Sequence, residues 1–238
     1  MGLFWIVLFM LAVPIGLPVV DAILLAILLA AAPSVAMAQV PLIGEAPVER
    51  MPAYWGSIVT LWVLGTASWL VGTRMEGPAA VGLVAMSPVA LVSWSVGLTA
   101  GGLAAIVLFR QVGIWAGEGN QDVLGQLLPR TPRERSVFAI LSLAAGGGEE
   151  MAYRGYAIPV LTPLIGVTGA ALLTTVVFGL LHAYQGPLGV VRTGVLGGVL
   201  AWGFLASGSL WPAIIAHTLI DLLTGLVFGE RLLRTGER

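Results

Sequence analysis

Gly146-Gly147-Gly148-Glu149-Glu150-Met151-Ala152-Tyr153-Arg154 places two adjacent carboxylates and one guanidinium inside Ser136 to Leu164, a run with no other formal charge. The surrounding chain is as apolar as that run: 58% hydrophobic, 10% charged, mean hydropathy +0.98. A soluble domain carries about 25% charged residues, so a water-soluble globule is excluded. The apolar runs are long and uninterrupted, unlike the short alternating segments of a transmembrane barrel. An ionisable residue at the bilayer centre costs about 2.5–3.5 kcal/mol on insertion scales, so three together call for a function.

Composition narrows the chemistry further. With no cysteine, disulfides, thiolate metal sites and Cys nucleophiles are excluded. A formal net charge of −1 gives no electrostatic footprint for nucleic acid. All 11 basic residues are Arg and none is Lys, a bias from which no function follows.

Immediately upstream lies the longest polar stretch, Arg110 to Arg135, containing Arg110, Arg130, Arg133 and Arg135. The positive-inside rule makes it cytoplasmic. Thr131-Pro132-Arg133-Glu134 reads as a helix start, with Thr as N-cap, Pro in the first turn and Glu three residues on. Further upstream, Ala79 to Phe109 is long for one span, and Pro88 separates an interfacial piece from a span at about Val89 to Phe109. Tyr54 to Val71 is a span with Trp55 and Trp69 near its ends, closed by Arg74 and Glu76. A polar linker, Gly44 to Arg50, precedes it. Leu3 to Val40 is apolar except for Asp21, and Pro14 and Pro18 interrupt it. It reads as a retained segment, either one kinked span or a hairpin turning near Pro14 to Pro18. The alternative is a cleaved signal with its site in Ser34 to Ala38, although no basic n-region precedes it. Asp21 is a membrane-interface residue or a buried polar contact.

Three apolar runs follow the charged segment, at about Gly166 to Ala183, Pro187 to Ala206 and Ser209 to Phe228. Four crossings after the cytoplasmic loop return the tail, with Arg231, Arg234 and Arg238, to the cytoplasm. Gly194 and Gly198 form a small-xxx-small pair suited to close helix packing. The fold expected is all-α, a polytopic transmembrane bundle of about seven to eight helices. Residues 1–238 form one integral membrane domain, with N-terminal helices and a cytoplasmic loop in 1–129 and a catalytic helix core in 130–228.

On a helix of 3.6 residues per turn, Glu150 and Arg154 share a face and pair, while Glu149 points about 100° away. One carboxylate is then structural and the other is left for general-base work. The histidines of the chain, His182 and His217, lie in the late apolar runs, and His217 is i,i+4 to Asp221. Glu149, Glu150, Arg154, His182, His217 and Asp221 thus make a polar set from three helices. Each has a bland reading as an interhelical contact, but packing needs one Glu–Arg pair and leaves the second Glu unexplained. No Ser lies in a G-x-S-x-G nucleophile motif. A carboxylate with imidazoles activates water directly or holds a metal that does so, and both routes lead to hydrolysis. Glu149, His182 and His217 would be the metal ligands, but without His-Glu-x-x-His the spacing does not support zinc, so no cofactor is expected.

Three motifs in order give these residues a family likeness. Glu149-Glu150-Met151-Ala152-Tyr153-Arg154, Phe178-Gly179-Leu180-Leu181-His182 and His217-Thr218-Leu219-Ile220-Asp221 resemble the Glu-Glu-x-x-x-Arg, Phe-x-x-x-His and His-x-x-x-Asn/Asp motifs of the CPBP family. That family comprises type II CAAX prenyl endopeptidases with bacteriocin-processing and immunity proteins, and is also called ABI. Tyr153-Arg154-Gly155 and Gly208-Ser209-Leu210-Trp211-Pro212 are similar as well, and the likeness covers about Arg130 to Phe228. The resemblance implies an intramembrane endopeptidase acting on a membrane-associated peptide or protein. In it Glu149 activates water, His182 binds and orients that water, and His217 with residue 221 stabilises the oxyanion. Glu150 and Arg154 organise the site. Position 221 departs from the prenyl-processing enzymes, which carry Asn. An ionised Asp donates no hydrogen bond, so Asp221 would act through His217 or improve a metal site. The location implied is a prokaryotic inner membrane, multi-pass, with the C-terminus in the cytoplasm. The alternatives are a zinc-dependent membrane hydrolase, a transporter or proton relay, and a non-cutting immunity or scaffold protein.

Overall fold

At Thr131 the chain leaves its polar loop through a complete capping box. The Thr131 hydroxyl accepts from Glu134 N at 3.2 Å, and the Glu134 carboxylate accepts from Thr131 N at 3.0 Å. Pro132 then occupies the first turn, where its missing N–H is not needed. The computed structural model describes residues 16–42, 48–115 and 122–229, and among them all regular structure is helical.

The helices are α1 (Val19–Gln39), α2 (Arg50–Thr73), α3 (Pro88–Trp115), a short α4 (Asp122–Leu127), α5 (132–165), α6 (167–180), α7 (Gly186–Ser207) and α8 (Trp211–Phe228). Between α5 and α6 the helical run breaks at Gly166, with φ 73° and ψ 160°, a backbone state open to glycine. The chain reverses there. The Arg154 guanidinium carbon lies 4.3 Å from the centre of the Phe178 ring, whereas 24 residues of straight helix would set them about 36 Å apart. Six helical runs are long and apolar enough to cross a membrane, counting 132–180 as one. Divided at Gly166, they make the expected all-α polytopic bundle.

Several boundaries match the sequence reading. The span expected at 54–71 is α2, longer by a few residues at its start. Pro88 does begin α3, which continues to Trp115, after a short 3₁₀ turn at Pro78–Val81. α1 starts at Val19 after a turn at Gly16 (φ 70°) and a non-helical Leu17–Pro18, inside the stretch where a hairpin turn was expected; residues before Gly16 lie outside the described residues. Pro14, linker residues 43–47, part of the polar loop (116–121) and the tail arginines Arg231, Arg234 and Arg238 lie outside the described residues. Asp21 is a buried polar contact: it is 3% exposed and paired with Arg74.

The glycine triplet packs helices. A Cβ on Gly148 would lie 2.5 Å from Leu61 O, and one on Gly65 would lie 2.7 Å from Gly148 Cα, so α2 and α5 touch backbone to backbone. A Cβ on Gly146 would lie 2.8 Å from Ile214 O of α8. Gly147 alone faces open space. Gly194 and Gly198 face α6, with Gly194 Cα 3.3 Å from a Cβ built on Gly179. Residues 167–180 make α6 only about 21 Å long, short of the ~30 Å hydrocarbon core. Its irregular end, at His182 and Ala183–Gln185, lines a cavity, the setting in which non-helical backbone is tolerated in a membrane protein.

Candidate active site

Within α5 the helix widens to a π segment at Glu150–Ala157, all of it buried. The cause is local: Pro159 offers no N–H, and Ile158 N–H bonds five residues back to Tyr153 O. π adjustments of this kind re-satisfy backbone groups that a membrane proline frees.

Glu150 and Arg154, on that segment, are 0% and 1% exposed and form the expected i,i+4 pair, Nη1 to Oε1 at 2.7 Å. Arg154 Nη2 donates to Gly197 O of α7 at 2.9 Å, and the guanidinium stacks on Phe178 of α6. Gly197 is what admits it, since a Cβ there would lie 2.8 Å from Nη2. Neither Gly197 nor the role of Phe178 was legible beforehand; one glycine among several in an apolar helix carries no sign of what it faces.

His217 of α8 hydrogen-bonds through Nδ1 to the same Glu150 Oε1 at 2.8 Å, while Glu150 Oε2 is buried without a partner. Nδ1 donates to the carboxylate, which leaves Nε2 turned the other way. Nε2 stands 3.7 Å from Glu149 Oε2 and 3.7 Å from Asp221 Oδ2. The hydrogen bond orienting the His217 ring thus comes from Glu150, and Asp221 sits beside the nitrogen left over. His182 is not inside a helix but just past the end of α6. Its Nδ1 donates to Phe178 O at 2.9 Å, because a carbonyl can only accept, so its Nε2 is an acceptor.

Glu149, His182, His217 and Asp221 all line one cavity of about 550 Å³. Glu150 and Arg154 do not; they stand behind it. The cavity continues between apolar walls such as Phe109, Leu128, Phe138 and Leu188 toward the end of the bundle that carries α4. Tyr184, Gln185 and Arg192 also line it, joined by hydrogen bonds from Gln185 Nε2 to Tyr184 OH at 3.0 Å and from Arg192 Nη2 to Gln185 Oε1 at 2.5 Å. Among the described residues, no three His, Asp or Glu side chains converge as metal ligands do.

The six residues singled out in the sequence are therefore together, four facing the cavity and two bracing them. Fold and site define a class: a polytopic helical membrane protein with a carboxylate–imidazole group at the wall of an internal cavity. Residues 132–223 match the family model of type II CAAX prenyl endopeptidases, Rce1-like, in agreement with the CPBP resemblance. All six residues fall within that match, which relates the helix core to a family of membrane proteases. No curated protein and no solved structure matches the chain.

Proposed function

We propose that this protein is an intramembrane endopeptidase that hydrolyses a peptide bond in a membrane-associated protein or peptide, with Glu149 as general base. One observation carries the reading: of the two adjacent carboxylates, Glu150 is sealed behind the site by Arg154 and His217, while Glu149 faces the cavity with His182, His217 and Asp221. In this mechanism His182 Nε2 accepts a hydrogen bond from the attacking water and Glu149 takes its proton. The oxygen adds to the scissile carbonyl carbon, and His217 Nε2, as the imidazolium, donates to the oxyanion. Collapse breaks the C–N bond, and Glu149 hands its proton to the leaving amine. Asp221 supports the positive charge on His217 from 3.7 Å rather than touching the oxyanion itself.

The enzyme needs no cofactor in this reading. Its partners are the lipid bilayer and a membrane-associated substrate, and its setting is a prokaryotic inner membrane with the C-terminus in the cytoplasm. The test compares the membrane proteome of cells carrying active protein with that of cells carrying Glu149→Gln. An uncut precursor is expected to accumulate with Glu149→Gln and with His182→Ala, both still inserted. Full cleavage by purified Glu149→Gln would remove the proposal. Loss of wild-type activity to a chelator, restored by zinc, would transfer the chemistry to the zinc-dependent alternative. Solute flux through proteoliposomes without proteolysis would favour a transporter.

A further inference from the structure

We propose that α1, which lies outside the segment matching the protease family, is a positioning element of the catalytic helix, holding the π segment Glu150–Ala157 in register through Leu28 and Asp21. Two contacts carry this. α1 has its own π turn at Ile27–Ala31, where Ala32 N–H bonds five residues back to Ile27 O. The next donor in that register would be residue 33, a proline, which has none. Leu28 O is thus left without a helical donor in a residue that is 0% exposed, and a buried carbonyl needs a partner. Tyr153 OH supplies it at 3.1 Å.

The second contact is one helical turn away. Tyr156 OH donates to Asp21 Oδ1 at 2.9 Å, and Asp21 is compensated by Arg74, at the end of α2, through both guanidinium Nη atoms. Tyr153 and Tyr156 flank Arg154, which holds Glu150, which in turn orients His217. Leu24, Leu25 and Leu28 also pack in the cluster that contains Met151 to Leu161. Apolar contact alone sets register poorly in a membrane, because lipid is as good a neighbour as another leucine. The two hydrogen bonds are directional, and both end on the segment that carries the site.

The inference rests on the hydrolase reading only in its activity arm. The chain's two histidines make ¹⁵N-histidine labelling a direct probe: one ring touches Glu150 and the other touches Phe178 O. In the full-length protein in detergent, Tyr153→Phe and Asp21→Asn are expected to move or broaden the His217 Nδ1 resonance and leave that of His182 in place. kcat for the precursor peptide should fall about tenfold at unchanged KM, as for a site displaced by a fraction of an ångström. A purely structural role would lower the folded fraction and leave the resonance of the folded molecules unmoved. Should Asp21→Asn fail to fold, Tyr153→Phe removes one hydroxyl and still decides the question. Folded variants with a wild-type His217 resonance overturn the inference. A wild type that cuts no peptide overturns the hydrolase reading instead, and the resonance still decides the role of α1.

Discussion

Arg154 serves two acceptors on different helices from one buried guanidinium, Glu150 on α5 and Gly197 O on α7, while its flat face rests on Phe178 of α6. Lysine offers neither the fork nor the plane, so this position demands arginine. Removing the guanidinium leaves Glu150 as a buried charge with His217 as its remaining partner. Arg154→Met is therefore expected to destabilise the protein by about 3–5 kcal/mol, measured by reversible unfolding in detergent. Adding Glu150→Gln removes the stranded charge, and the double variant should recover most of that loss, a coupling that a double-mutant cycle isolates. A loss under about 1 kcal/mol for the single variant would mean that the pair does not brace the site. The i,i+4 pairing was legible because two residues on one helix face meet whatever the tertiary fold. That His217 bonds to the same oxygen was not legible, since sequence spacing within α8 says nothing of how α8 faces α5.

The glycine triplet argues the same point for whole elements. Three glycines in an apolar helix signal that something comes close, whether a substrate backbone or a neighbouring helix. The answer depends on Gly65, eighty-odd positions upstream, whose own missing Cβ completes the α2–α5 contact. Gly148→Ala would press its methyl group against Leu61 O at 2.5 Å, a backbone atom that cannot swing away, and should destabilise by about 1–3 kcal/mol. Gly147→Ala meets nothing within 4 Å and should be neutral or stabilising by about 0.5–1 kcal/mol through helix propensity. Thermal unfolding of the two variants side by side checks this; equal effects would refute the close α2–α5 packing. The long membrane elements were readable, from apolar runs, capping at Thr131 and Pro88 at the start of α3, whereas the short α4, inside the stretch read as a polar loop, was not. Less so was the interior geometry: Pro159 was visible in the sequence, but the π widening before it follows from how a crowded membrane helix re-satisfies its carbonyls.

At the scale of the molecule, the two ends of the bundle differ in charge, and the orientation proposed for it in a membrane follows from that difference. One end gathers Arg50 beside Glu134 at 3.9 Å, Tyr54 hydrogen-bonded to Leu127 O, and Arg135 donating to Leu226 O at 3.0 Å. Arg110 and Arg192 lie toward the same end, on the cavity wall. The opposite end joins Ser209 Oγ to Val84 O at 2.8 Å and Leu210 N to Gly82 O at 2.7 Å, and its arginine, Arg74, is neutralised by Asp21. Short loops rich in Arg stay in the cytoplasm, so the cavity mouth near α4 should open there and a substrate should enter from that side. Because the chain has no cysteine, single introduced cysteines report on this without background. Trp115 is 95% exposed at the basic end and Met75 is 84% exposed at the other. In intact spheroplasts a membrane-impermeant maleimide should label Met75→Cys and leave Trp115→Cys untouched, and inside-out vesicles should reverse the pattern. The opposite labelling would place the cavity mouth outside the cell and require the substrate to be cut from that face.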